Sequence, residues 1–124
     1  MENNNKRSGA VYCFHYLLPM THSTDNIKEH IHSHTLEITV YISGGVTENE
    51  EFSKSERHAG DVLKQYENRY FNEIADFGGD ASVENVGEVF FRKLTTVLNG
   101  SGIELRRLEI GENPLRQYVI STYM

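Results

Sequence analysis

The segment KEHIHSH, residues 28–34, holds three of the chain's six histidines at alternate positions, with Glu29 among them. Alternate residues of an extended chain project to one face. His32 and His34 therefore share a face with Leu36, Ile38, Val40 and Ile42, while Ser33, Thr35, Glu37, Thr39, Tyr41 and Ser43 take the other. Two imidazoles on an apolar face are costly without partners. Zinc is one such partner, and a catalytic zinc takes three protein ligands and leaves a fourth position open. The third ligand then comes from another element. His15, inside the apolar run AVYCFHYLL (10–18), is the first candidate, because an antiparallel neighbour brings it alongside. His30 shares the parity of the pair but lies towards the loop, and His22 and His58 sit in less regular contexts. The competing reading is a strand end whose histidines are satisfied by backbone carbonyls.

The elements that position these residues follow from pattern. Residues 32–43 alternate as a strand with one apolar face, and Gly44-Gly45 stops it. Residues 10–18 read as a buried strand ended by Pro19, with PMTHSTDN as a loop. From Ala59 through Val62, Leu63, Tyr66, Tyr70 and Ile74 the apolar steps are threes and fours, which predicts a helix, with a looser turn before it. FGGDAS breaks the chain, and Ser82 is suited to cap a second helix carrying Val83, Val86, Phe90, Leu94, Val97 and Leu98, ended by Asn99-Gly100. Residues 103–112 and 115–123 read as two strands around an Asn113-Pro114 turn. The order β-β-α-α-β-β predicts an α+β domain, an antiparallel sheet with two helices on one face.

Composition narrows the function classes. A chain of 124 residues fits one domain, here 10–124, behind a polar leader over residues 1–9. A net charge of -6 without a Lys/Arg cluster argues against a nucleic-acid or anionic-membrane partner. No apolar run reaches the ~18 residues of a membrane span, and no signal-peptide pattern opens the chain. The single Cys13 excludes an intrachain disulfide and fits a reducing, cytoplasmic setting.

Taken together, these residues resemble the group of 6-pyruvoyltetrahydropterin and 6-carboxytetrahydropterin synthases, whose T-fold (tunnelling fold) has the same element order. The resemblance implies zinc ligands from a histidine of the first strand and from an H-G-H motif opening the second, here His15, His32 and His34 with Ser33 in place of glycine. DASVEN looks like the family's P-T-x-E-N stretch, with Ser82, Glu84 and Asn85 in place, and Glu112 in IGENPLRQYVI matches the glutamate that grips the pterin. A carboxylate there accepts from the ring N–H and the 2-amino group together, and Ser82 with the backbone near Val83 holds the opposite polar edge.

Two positions depart from the common pattern. The catalytic Cys of C-x-x-x-H-G-H is Lys28 here, while Glu29 fits a variant with E-x-x-H-G-H, in which the glutamate transfers the proton. The Asp-His pair of L-D-H-x-x-L-N falls on Glu67 and Asn68 of YENRYFN, and Asn cannot move a proton as His can. The resemblance implies a zinc-dependent pterin lyase that cleaves the side chain of dihydroneopterin triphosphate to a 6-hydroxymethyl-dihydropterin. The alternatives within the same fold are the 6-carboxytetrahydropterin synthase reaction of queuosine biosynthesis, 6-pyruvoyltetrahydropterin formation, and a non-catalytic pterin binder. It also implies a homo-oligomer, a trimer or hexamer whose sheets close a barrel, with active sites between subunits.

Overall fold

The computed structural model describes residues 11–23, 25–43 and 49–122. The leader over residues 1–9 and the Gly44-Gly45 stop lie outside the described residues. Strands β1 (Tyr12–His22) and β2 (His32–Ser43) are followed by helices α1 (Asn49–Lys64) and α2 (Val83–Asn99), then by strands β3 (Glu104–Asn113) and β4 (Arg116–Ser121). The strands form one antiparallel sheet in the order β1-β2-β3-β4. Its even-numbered face carries Phe14, Leu18, Met20, Leu36, Ile38, Val40, Ile42, Leu108 and Ile110, all buried, against Ala59, Leu63, Phe90, Leu94 and Leu98 of the helices. The α+β architecture and the element order agree with expectation. No helix among the described residues is long and apolar enough to cross a membrane.

Two expectations need correction. The first concerns Pro19, which does not end β1: the strand continues to His22, with Pro19 opposite Thr35. The Pro19 carbonyl accepts from Asn68 N at 2.7 Å, and Thr21 N donates to the Arg69 carbonyl at 3.1 Å, on the side away from β2. The N and C=O of one residue in an antiparallel strand point the same way, so the Pro19 nitrogen also faces outward. Its missing N–H therefore removes no ladder bond, which is how an edge strand tolerates proline.

The second concerns the first helix, which starts and stops earlier than its apolar spacing predicts. Tyr66, Phe71, Ile74 and Phe77 are buried, but they sit on a bend and two short 3-10 turns (Phe71–Glu73 and Ala75–Phe77) after the helix has ended. Asn68 takes a left-handed conformation at φ 61°, one that Asn tolerates, and turns the chain against the edge of β1. The buried residues of this stretch step by five, three and three, and Tyr70 of the helical series is only half-buried.

α2 matches its pattern. Ser82 caps it, its hydroxyl accepting Asn85 N at 3.3 Å. At the end of β3 the register shifts between the pairs Ile110↔Tyr118 and Asn113↔Arg116, so β3 carries one extra residue, a bulge at Gly111-Glu112. The turn itself falls on Pro114-Leu115, one residue later than expected, with Leu115 N donating to Asn113 Oδ1 at 2.9 Å. A Cβ on Gly111 would run into the Arg116 carbonyl oxygen and the Gln117 side chain. Gly111→Ala should therefore destabilise the fold by about 1–3 kcal/mol in denaturant unfolding; an unchanged midpoint would mean that the hairpin opens freely at the bulge.

Candidate metal centre

His22 and His32 stand opposite one another at the last rung of the β1–β2 ladder. Both are even-numbered, as is His34, so all three rings emerge on the helix-covered face. Ring centroids are separated by 4.6 Å (His22–His32), 4.7 Å (His32–His34) and 5.1 Å (His22–His34), with the planes steeply inclined to one another. One nitrogen from each ring can be chosen so that all three lie within 4.8 Å of one another.

The backbone sets the tautomers. His22 Nδ1 lies 2.8 Å from the Ala81 carbonyl and His32 Nδ1 lies 3.0 Å from the His30 carbonyl. A carbonyl only accepts, so each Nδ1 carries the hydrogen, and in the neutral ring Nε2 is left as a bare acceptor. His22 is 1 % exposed, and its Nε2 has no hydrogen-bond partner among the described residues. Glu112 Oε2 lies 3.2 Å from it and 3.4 Å from His34 Nε2. A carboxylate oxygen facing a bare imidazole nitrogen brings lone pairs together, which is favourable only with a proton or a cation between them. Burial holds His34 below its ordinary pKa; the Glu112 carboxylate opposes this shift, and His22 and His32 reinforce it. His34 is therefore neutral at pH 7, the form that ligates. Two imidazoles that donate Nδ1–H to carbonyls, with a buried nitrogen left over on His22, fit zinc well.

The structure corrects the expectation for His15. Its parity puts it on the opposite, odd-numbered face of the sheet, exposed, with Nδ1 3.1 Å from Thr39 Oγ1 and Nε2 3.8 Å from Cys13 Sγ. It does not join His32 and His34. His22, set aside as a loop residue, takes the third place. The signal was present in the even series Phe14, Tyr16, Leu18, Met20, His22, had the strand been continued through Pro19.

The other residues singled out by sequence fall as follows. Ser82, Val83 and Glu112 line one cleft of about 350 Å³, together with His22, Glu84 and Arg116. Glu29 is exposed, on the 3-10 turn Lys28–His30 that leads into β2. Asn68 lines a smaller depression of about 300 Å³ that also reaches His34, while Glu67 is exposed.

Over residues 11–122 the chain matches the family model described as 6-pyruvoyl tetrahydropterin synthase. Among solved structures it is similar to 6-pyruvoyl tetrahydropterin synthase of Caenorhabditis elegans, with TM-score 0.66 and 19% identity over 90% of this chain and 96% of that one. It is also similar to the Plasmodium vivax 6-pyruvoyltetrahydropterin synthase, solved as a variant with its catalytic glutamate replaced by alanine, with TM-score 0.65 and 12% identity over 90% and 96% of the chains. The Plasmodium falciparum enzyme gives TM-score 0.60 and 10% identity over 93% and 98%. Curated protein sequences give no significant match.

Proposed function

The chain belongs to the 6-pyruvoyl tetrahydropterin synthase family and has its T-fold, and from that premise we propose that it is a zinc-dependent lyase acting on the side chain of dihydroneopterin triphosphate, with a 6-hydroxymethyl-dihydropterin as the favoured product. The observation that carries this reading is the convergence of His22, His32 and His34 beside a cleft with polar edges. These three residues would hold the ion. When bound, zinc supplies a Lewis acid that polarises the side-chain oxygens of the substrate.

The remaining chemistry belongs to this chain's own residues. Glu112 accepts from the ring N–H and the 2-amino group of the pterin, and Ser82 with the backbone at Val83 holds the opposite edge. Glu29 takes the proton of a side-chain hydroxyl, and the adjacent C–C bond breaks in retro-aldol fashion. A carboxylate is a weak base near pH 7 unless burial raises its pKa. Glu29 is exposed in the single chain, so this role requires a neighbouring subunit or the substrate itself to cover the 28–30 turn. The Plasmodium vivax relative, whose catalytic residue is a glutamate, supports this role for Glu29. Lys28, standing where the common motif has its Cys, weighs against the Cys-dependent forms of the 6-carboxytetrahydropterin and 6-pyruvoyltetrahydropterin reactions.

One observation favours a second reading. Glu112 Oε2 sits against two of the three rings, so Glu112 can serve as a fourth ligand, which closes the site and leaves a non-catalytic pterin binder. β1 and β4 are the outer strands of the sheet, and pairing with other subunits would cover the stretches of their edges that the described residues leave unpaired, so the assembly we propose is a homo-oligomer, a trimer or a hexamer built from two.

Zinc-loaded protein incubated with dihydroneopterin triphosphate should release a 6-hydroxymethyl-dihydropterin, identified by mass. Glu29→Gln should cut that turnover by about 10²–10⁴-fold with zinc content unchanged; full turnover in this variant removes Glu29 as the base. Metal analysis should find one zinc per chain in the wild type and in His15→Ala, and none in His22→Ala. Glu112→Gln separates the two readings: retained zinc with pterin binding weakened by about 10–100-fold supports the anchor, whereas lost zinc supports the closed site. Sedimentation at micromolar concentration should give a trimeric or hexameric mass, and a monomer would contradict the assembly.

A further inference from the structure

The connection between β1 and β2 begins at one proposed ligand, His22, and ends at another, His32. It is tied by a run of side-chain bonds. Asn72 accepts Ser23 N at 2.8 Å through Oδ1 and donates through Nδ2 to the Ser23 carbonyl and to Asn26 Oδ1, both at 2.6 Å. The Ser23 hydroxyl donates to Asp25 Oδ1 at 2.7 Å. Ile27 N donates to Ser23 Oγ and to Asp25 Oδ1, both at 3.1 Å. The second Asp25 oxygen accepts from His30 Nδ1 at 2.5 Å. The His30 carbonyl in turn receives Nδ1–H of His32 at 3.0 Å. Each Asp25 oxygen thus has its own set of donors: one closes the start of the connection and the other grips its end.

We propose that Asp25 is a positioning residue of the metal centre: its carboxylate straps Ser23, Ile27 and His30 together so that the His30 carbonyl meets Nδ1–H of His32 and directs the other ring nitrogen towards His22 and His34. This inference rests on the proposed zinc site. Asp25 touches neither substrate nor ion and acts only through His30. The Ser23 hydroxyl first, then the His30 ring and Ile27 N, hold the Asp25 carboxyl well below the ordinary range, so the strap stays ionised at neutral pH. The His30 carbonyl is the partner that fixes the tautomer and direction of His32, and losing such a partner costs about 10–100-fold in metal affinity; Asp25 secures it through an exposed pair, worth about 2–5-fold. The Glu29 main chain is held by the same strap, between tied points at Ile27 N and the His30 ring.

The test is zinc affinity of the full chain, by competition with a chromophoric chelator, alongside the visible spectrum of the cobalt-loaded protein. Asp25→Ala should weaken zinc by about 2–5-fold and alter the cobalt spectrum, with all three ligands intact. His30→Ala keeps the residue 30 carbonyl but frees it from the strap. It should give a similar loss, and the double variant should be no weaker than either single one. Asp25→Asn, which keeps an acceptor for Ser23 and Ile27, should recover part of the affinity. If Asp25→Ala does not fold, His30→Ala and Asp25→Asn still decide the matter. Wild-type affinity and spectrum in these variants, with zinc lost in His22→Ala, overturn the strap and leave the centre standing. Wild-type affinity in His22→Ala overturns the centre and the strap with it.

Discussion

The rung that pairs His22 with His32 is the constraint on which the rest of the site depends. It exists because β1 keeps strict alternation from Tyr12 to His22 without a bulge. Phe14, Leu18 and Met20 draw the even face into the core, and a strand that does not slip must carry His22 to the same side. Pro19 is tolerated only because it falls at a position whose nitrogen points away from β2. The same proline one residue earlier or later would remove a ladder bond, and the chain would leave the sheet before reaching His22.

The start of α2 completes the geometry from the other side. Asn85 Nδ2 donates to the Phe77 carbonyl at 2.9 Å and to the Asp80 carbonyl at 2.7 Å, and Ser82 N donates to Asp80 Oδ1 at 3.0 Å. With the Ser82 cap, these bonds fix the backbone around Ala81, whose carbonyl orients the His22 ring. Ser82 and Asn85 of the DASVEN stretch therefore set the direction of a histidine some sixty residues away in sequence, whatever else they hold. The bulge at Gly111 does similar work for Glu112: it lets β3 and β4 close tightly while the carboxylate turns onto the ring cluster.

What was legible in the sequence was what local pattern controls. The bounds of β2, the Ser82 cap and the end of α2 at Asn99 follow from alternation, capping chemistry and an Asn-Gly stop, all of which act over a few residues. The side-by-side placement of Ser82, Val83 and Glu112 along one cleft followed from the resemblance, since nothing within residues 80–112 states that two distant segments meet. The sequence points to His15 because a histidine inside an apolar strand looks buried whichever face it takes. Only the parity of its neighbours separates the two faces, and that parity puts it outside. The end of the first helix is not legible because Tyr66, Tyr70 and Ile74 keep helical spacing in the sequence, while the chain beyond Lys64 folds into turns that bury Phe71 in place of Tyr70. Those turns are imposed by long-range bonds to β1 that no local window contains.

The two bonds from Pro19 and Thr21 to residues 68 and 69 also limit how β1 can meet another chain. Outward-facing main-chain groups on this strand belong to its odd residues, and near His22 they are already consumed within the molecule. A strand docking alongside can draw only on the stretch around Cys13, His15 and Leu17. Any such union is therefore staggered towards the far end of the sheet, which leaves the histidine end clear of an incoming strand.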